Sequence, residues 1–123
     1  MATNSDGTSS ILDFIVPHRV DPGDAVFLVA PSSAVDTENM TRNIEIIETL
    51  GLKVKHRPDI FDKDRNFAGT IARRRSEFLE AIADPETKII WAVRGGYGAG
   101  YLSEALDITK IRNSRKWLVG FPT

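Results

Sequence analysis

Two rhythms of apolar residues alternate along this chain. Residues 25–30, Ala-Val-Phe-Leu-Val-Ala, form an unbroken apolar run behind the turn signal Asp21-Pro22-Gly23-Asp24, as a strand buried on both faces requires. Pro31-Ser32-Ser33 interrupts it. Met40, Ile44, Ile47 and Leu50 then recur at helical spacing, with Asp36 or Thr37 placed to cap the helix start and Gly51 to end it. Leu52-Lys53-Val54-Lys55-His56 alternates apolar and polar, which suits a strand near the sheet edge, and Arg57-Pro58-Asp59 closes it. Residues 60–69 mix charge with Phe61 and Phe67 without a period and read as a loop over the domain.

From Thr70 the positions Ile71, Phe78, Leu79 and Ile82 predict a second amphipathic helix, with Arg73, Arg74, Arg75, Glu77 and Glu80 on its solvated face. Asp84-Pro85-Glu86 ends it. Lys88 to Val93 reads as another buried strand, running directly into Arg94-Gly95-Gly96-Tyr97-Gly98. A third helix is predicted to carry Tyr101, Leu102, Ala105 and Leu106, with Ile108 and Ile111 beyond it, before a last strand over 116–120. Strands alternating with helices imply parallel pairing through right-handed crossovers, hence a doubly wound, mainly parallel α/β sheet with helices on both faces. Ligands of such sheets bind beyond the carboxyl ends of the strands. Both Arg94-Gly95-Gly96-Tyr97-Gly98 and Gly120-Phe121-Pro122-Thr123 fall at strand ends of that kind.

The length of 123 residues fits one domain, expected over 21–123 behind a flexible tail and leading segment over 1–20. The absence of cysteine excludes disulfides and thiol chemistry. Sixteen basic and seventeen acidic residues leave a net charge of -1 with no sustained run of one sign, so nucleic acid is not an expected partner. Met1 to Ser10 lacks the basic-then-apolar order of a signal peptide, and no apolar stretch approaches the roughly 20 residues that span a bilayer. A cytoplasmic location without membrane contact is the expectation.

Three glycines within residues 95–98 leave amide N–H groups open to an anion or oxyanion, although a tight structural turn uses glycine for the same conformational reason. The spacing matches neither a Walker loop nor a dinucleotide fingerprint. Val29-Ala30-Pro31-Ser32-Ser33-Ala34-Val35, then Arg94-Gly95-Gly96-Tyr97-Gly98 with Leu102 and Leu106-Asp107, then 116–121, resemble in order the first strand and turn, the central glycine motif and the nucleophile strand of the serine LD-carboxypeptidases. That family includes muramoyltetrapeptide carboxypeptidases and microcin self-immunity peptidases.

The resemblance covers residues 20–121. It implies a flavodoxin-like domain, akin to the N-terminal part of class I glutamine amidotransferases, in a two-domain serine hydrolase. The implied reaction releases the terminal D-alanine of murein tetrapeptides during peptidoglycan recycling, with no metal and no cofactor. The Arg-Gly-Gly-Tyr-Gly form looks closer to the muropeptide branch. The glycine turn would supply an oxyanion-hole N–H, carried here onto Gly96, and the second donor would follow the nucleophile.

The family's last strand ends in Gly-Phe/Tyr-Ser-Asp, where this chain has Gly120-Phe121-Pro122-Thr123. Proline has no hydroxyl, and its fixed φ does not suit a nucleophile elbow. The family's glutamate and histidine come from a C-terminal domain, well beyond Thr123. The expectation is therefore an N-terminal domain stopped at the nucleophile, without a catalytic residue of its own and inactive alone. Its partner would be a muropeptide-like peptide if a C-terminal domain were present, or a second copy through the surface that such a domain would cover.

The remaining candidates take plainer readings. His18 and His56 have no serine partner and read as surface or half-buried residues, and Ser32 and Ser33 read as turn or capping groups. Asp59, Asp62 and Asp64 alternate with Lys63 and Arg65 in a solvated loop rather than a metal site. Arg73-Arg74-Arg75 points three ways around a helix and reads as serving solubility. Trp91, Trp117 and Tyr97 read as core or turn packing. Two alternatives stay open: a stand-alone pseudoenzyme or module binding a peptide or partner at the open sheet edge, and a flavodoxin-like domain whose glycine turn holds a phosphate.

Overall fold

The computed structural model describes residues 18–94, 111 and 113–120. Strand β1 is Ala25–Val29, helix α1 Thr37–Thr49, β2 Lys53–Lys55, α2 Ile71–Ala83, β3 Thr87–Ala92 and β4 Trp117–Val119, with a 3-10 helix at Pro58–Phe61. The four strands form one sheet in the order β2-β1-β3-β4, and every pair is parallel. This is the α/β sheet that the alternation of elements predicts.

Turn and cap chemistry sets the boundaries. Gly23 takes a positive φ in the turn where the Asp24 N–H meets the Asp21 carbonyl, and β1 begins two residues later. The Asp36 side chain caps α1 at the Asn39 N–H, and the Asn39 side chain accepts in return from the Asp36 N–H, a reciprocal capping box. At the other end Gly51, at φ 82, lets its own N–H reach the Glu48 carbonyl while the Leu52 N–H reaches Ile47. That pair of bonds is a Schellman motif.

β1 lies in the centre of the sheet, and its side chains divide between two cores as period-two geometry requires. Val26, Leu28 and Ala30 pack with Met40 and Ile47 of α1 and with Val35, Ile60, Ala68 and Val93. Phe27 and Val29 pack on the other face with Phe78 and Ala81 of α2 and with Ile90. Burying each of these larger side chains contributes about 1.5–3 kcal/mol. β2 pairs only with β1 among the described residues, in keeping with its alternating sequence.

Several expectations need correction. Arg73, Arg74 and Glu77 are buried rather than solvated, because the flank of α2 that carries them faces the turn after β1. Of the predicted apolar face, Phe78 is buried, joined by Ala81, and Ile82 packs partly buried beside them, whereas Ile71 and Leu79 are exposed at 39% and 38%. The segment 60–69 is not a plain loop: Ile60, in the 3-10 helix, and Ala68 are fully buried, and Phe67 bridges to Ser33 and to Asp64. Asp59 is part of an ion-pair cluster rather than a solvated loop residue. Trp117 is 47% exposed and so is not core, whereas Trp91 packs on the first core and donates its indole N–H to Asn43. The third predicted helix over 101–106 lies outside the described residues.

Candidate functional site

The carboxyl ends of β1, β3 and β4 lie side by side, and the turn after β1 is held from below by α2. Glu77, with no exposed surface, accepts the Ala30 N–H at 2.8 Å. Its neighbour one helical turn earlier, Arg73, donates to Glu77 at 3.1 Å, to the Ala30 carbonyl at 3.2 Å and to the Ala68 carbonyl at 2.7 Å. Arg74 donates to the Pro31 carbonyl at 3.2 Å and stacks its guanidinium 4.9 Å from the centre of the Phe67 ring. Two adjacent backbone carbonyls and one N–H that leave the sheet at Ala30 and Pro31 thus find charged partners on a single helix, as buried polar groups must.

Burial pushes the Glu77 carboxyl up, against the Arg73 charge and the Ala30 N–H, which pull it down. Around this pair stands a second shell of charge. Arg57 grips Asp59 through two bonds, at 3.0 and 2.7 Å, and Arg73 reaches the same carboxylate at 3.4 Å. Burial acts to raise Asp59, but the hydrogen bond and charge of Arg57, joined by Arg73, leave it below the ordinary carboxylate range.

Above this base, Ser33, Ala34, Val35, Asp36, Lys63, Asn66 and Arg94 line an open cleft of about 370 Å³. The cleft wall is pinned by the Ala34 N–H on the Asn66 carbonyl and the Ala68 N–H on the Ser32 carbonyl, at 2.9 and 2.8 Å. Arg94, the first residue of the Arg-Gly-Gly-Tyr-Gly sequence, reaches back 60 positions to donate to the Ala34 carbonyl at 3.0 Å. Among the described residues no group of three or more His, Cys, Asp or Glu side chains could hold a metal ion.

β4 brings the other chemistry-bearing end alongside. Gly120 follows it at φ 79, with its Cα so near β3 that a Cβ there would sit 3.1 Å from the Ala92 carbonyl oxygen. Only glycine combines that backbone angle with that approach at low cost. The end of β4 therefore lies beside the end of β3, two residues before Arg94.

Of the residues singled out in the sequence, Arg94 stands at the cleft, while Gly95, Gly96, Tyr97, Gly98 and Pro122 lie outside the described residues. Ser32 is buried in the turn and Ser33 borders the cleft. His18 and His56 are exposed: His18 donates its backbone N–H to Arg115, and the His56 ring contacts the Arg57 carbonyl. Sequence reasoning missed Glu77, Arg73 and Lys63. A Glu four residues after an Arg was legible as a helical pair; that both face inward was not.

Residues 26–122 match the family described as LD-carboxypeptidase N-terminal domain. The murein tetrapeptide carboxypeptidase of Pseudomonas aeruginosa is 31% identical over 97 residues, 78% of this chain and 32% of that protein. Among solved structures, an MccF-like protein from Bacillus anthracis superposes with a TM-score of 0.76 at 29% identity, covering 84% of this chain and 32% of its own. The muramoyltetrapeptide carboxypeptidase from Oxalobacter formigenes does so with a TM-score of 0.68 at 28% identity, covering 76% and 31%. The chain spans about a third of the length of the curated relatives it matches. With its parallel sheet, the Arg-Gly-Gly-Tyr-Gly sequence after β3 and the glycine at the end of β4, this chain belongs to the LD-carboxypeptidase family, in the N-terminal domain of that family.

Proposed function

We propose that this chain is the oxyanion side of a serine-type LD-carboxypeptidase site that releases the terminal D-alanine of murein tetrapeptides, and that the 123 residues alone do not turn over. The observation that carries the reading is the close approach of Gly120 to Ala92, which supports a site formed where the end of β4 meets the end of β3, two residues before the glycine motif begins at Arg94. Acyl transfer needs that convergence, since the N–H donors must point at the oxygen on which charge develops. In the family reaction a serine oxygen adds to the peptide carbonyl carbon, the D-alanine amine departs with a proton, and water then cleaves the acyl ester. Pro122 offers no hydroxyl for the first step.

The role of Gly96 as an oxyanion donor, a domain over 21–123 and a cytoplasmic location, where murein peptides are recycled, belong to the same reading. No described helix is long and apolar enough to cross a membrane. The test incubates the 123-residue chain with a murein tetrapeptide, follows free D-alanine, and probes for a covalent adduct with a fluorophosphonate. Neither product is expected. Turnover or an adduct overturns the claim of inactivity, and failure of the tetrapeptide to bind overturns the substrate.

A further inference from the structure

Lys63 and Arg94 flank the cleft between the turn after β1 and the segment 63–66, and neither pairs with a carboxylate among the described residues. Five other basic residues, Arg19, Arg42, Lys55, Arg57 and Arg73, do pair with one. Arg94 is held in place by its bond to the Ala34 carbonyl through one Nη1 proton, and its remaining N–H groups meet no acceptor among the described residues. The one carboxylate in the lining, Asp36, is directed to the Asn39 N–H as the α1 cap at 2.7 Å. Charge in the cleft is therefore net positive and lacks a counterion from the described chain.

Its other lining groups fit a peptide. The Asn66 side chain can both donate to and accept from a peptide unit, and Ala34 and Val35 supply an apolar wall. The wall is stiff, since Ala34 is tied to both Asn66 and Arg94. A planar guanidinium held at one corner beside a lysine suits a carboxylate, which Arg engages through paired bonds and Lys as a point charge.

Resting on the substrate reading above, we infer that this cleft is a carboxylate subsite: Lys63 and Arg94 bind a free carboxylate of the peptide, set back from the reacting bond, while Asn66 contacts the adjoining peptide group. The subsite contributes to affinity and to the choice of acidic peptides, and takes no part in bond cleavage.

The test is an amide-resolved NMR titration of the 123-residue chain with three probes: the murein tetrapeptide, the same peptide with its free carboxylates amidated, and inorganic phosphate. The free acid is expected to shift the amides of 33–36 and 66. Loss of a charge-assisted contact is expected to weaken binding by about tenfold or more, both for the amidated peptide and for the K63A/R94A double variant. The spectrum of the variant away from the cleft reports whether it remains folded, and K63A alone serves if it does not. Equal binding of acid and amide, unchanged binding by the variant, or phosphate binding as tight as the peptide overturns the subsite and leaves the peptidase reading intact. Absence of binding by every peptide overturns both.

Discussion

The carboxylate of Glu77 accepts the backbone N–H of Ala30, 47 residues earlier, at 2.8 Å. One side chain thereby fixes the first residue past β1 to the middle of α2, and Arg73 closes the arrangement from the other side by donating to both Glu77 and the Ala30 carbonyl. The turn that borders the candidate site is held by charge rather than by its own sequence.

Replacing Glu77 by Ala leaves the Ala30 N–H without its acceptor and Arg73 buried beside no carboxylate except Asp59 at 3.4 Å. Removing one partner of a buried ion pair costs about 3–5 kcal/mol. Urea unfolding of E77A is expected to show a loss in that range. E77Q, which keeps an acceptor for Ala30, should lose less than E77A. Equal losses in the two variants would mean that the bond to Ala30 adds nothing beyond the pair.

The cap of α1 gives a smaller effect. Asp36 satisfies the Asn39 N–H at 2.7 Å on an exposed rim, so D36A is expected to cost about 1 kcal/mol, and D36S less. Because Asp36 also lines the cleft, the unfolding midpoint is the appropriate measurement.

Much of the fold was legible because its signals are local. The apolar run of β1, the Asp36 cap, Gly51 and the alternation at Lys53 and Lys55 each specify a boundary within a few residues. The inward flank of α2 was not legible, since Arg73, Arg74 and Glu77 look solvated until the carbonyls of Ala30, Pro31 and Ala68 are seen to need donors. Partners 43 residues apart leave no periodic trace. Trp117 failed for the opposite reason: an apolar side chain on a short strand says nothing about whether that face is covered. The glycine motif and the strand-end glycine were visible as sequence, whereas the cation pair at Lys63 and Arg94 depends on a fold of segment 60–69 that has no period to read.

Stability should also depend on pH through Asp84, which closes α2. Burial acts to raise its carboxyl, but hydrogen bonds from Lys55 and Thr87 and from the Glu86 N–H hold it below the ordinary value. A carboxylate lowered on folding stabilises the native state above its unfolded pKa, about 4, and that contribution disappears as the pH falls through the lower folded value. D84N should thus be less stable than the parent at pH 7, with the gap narrowing toward pH 2. Glu77 acts with the opposite sign: its raised carboxyl means a penalty for ionisation that grows as the pH climbs above the ordinary carboxylate range. Urea midpoints of parent, D84N and E77Q across pH 2–8, a range of about six units, separate the two trends. A D84N gap that stays constant with pH would show that its effect is not electrostatic.

The final expectation concerns Gly120. A side chain there meets two costs at once, a positive φ of 79 and a Cβ 3.1 Å from the Ala92 carbonyl oxygen. The left-handed conformation alone costs a non-glycine residue about 1–2 kcal/mol, and the contact forces β4 to move away from β3. G120A is expected to lower stability by about 2 kcal/mol and to shift the amide resonances of Ala92, Val93 and Arg94 as the strand ends separate. A control at Gly51, where a Cβ would meet nothing within 4 Å, isolates the backbone term at a similar φ of 82. If G120A and G51A lose the same stability, the approach to Ala92 is looser than the geometry states, and the convergence of the two strand ends loses its physical basis.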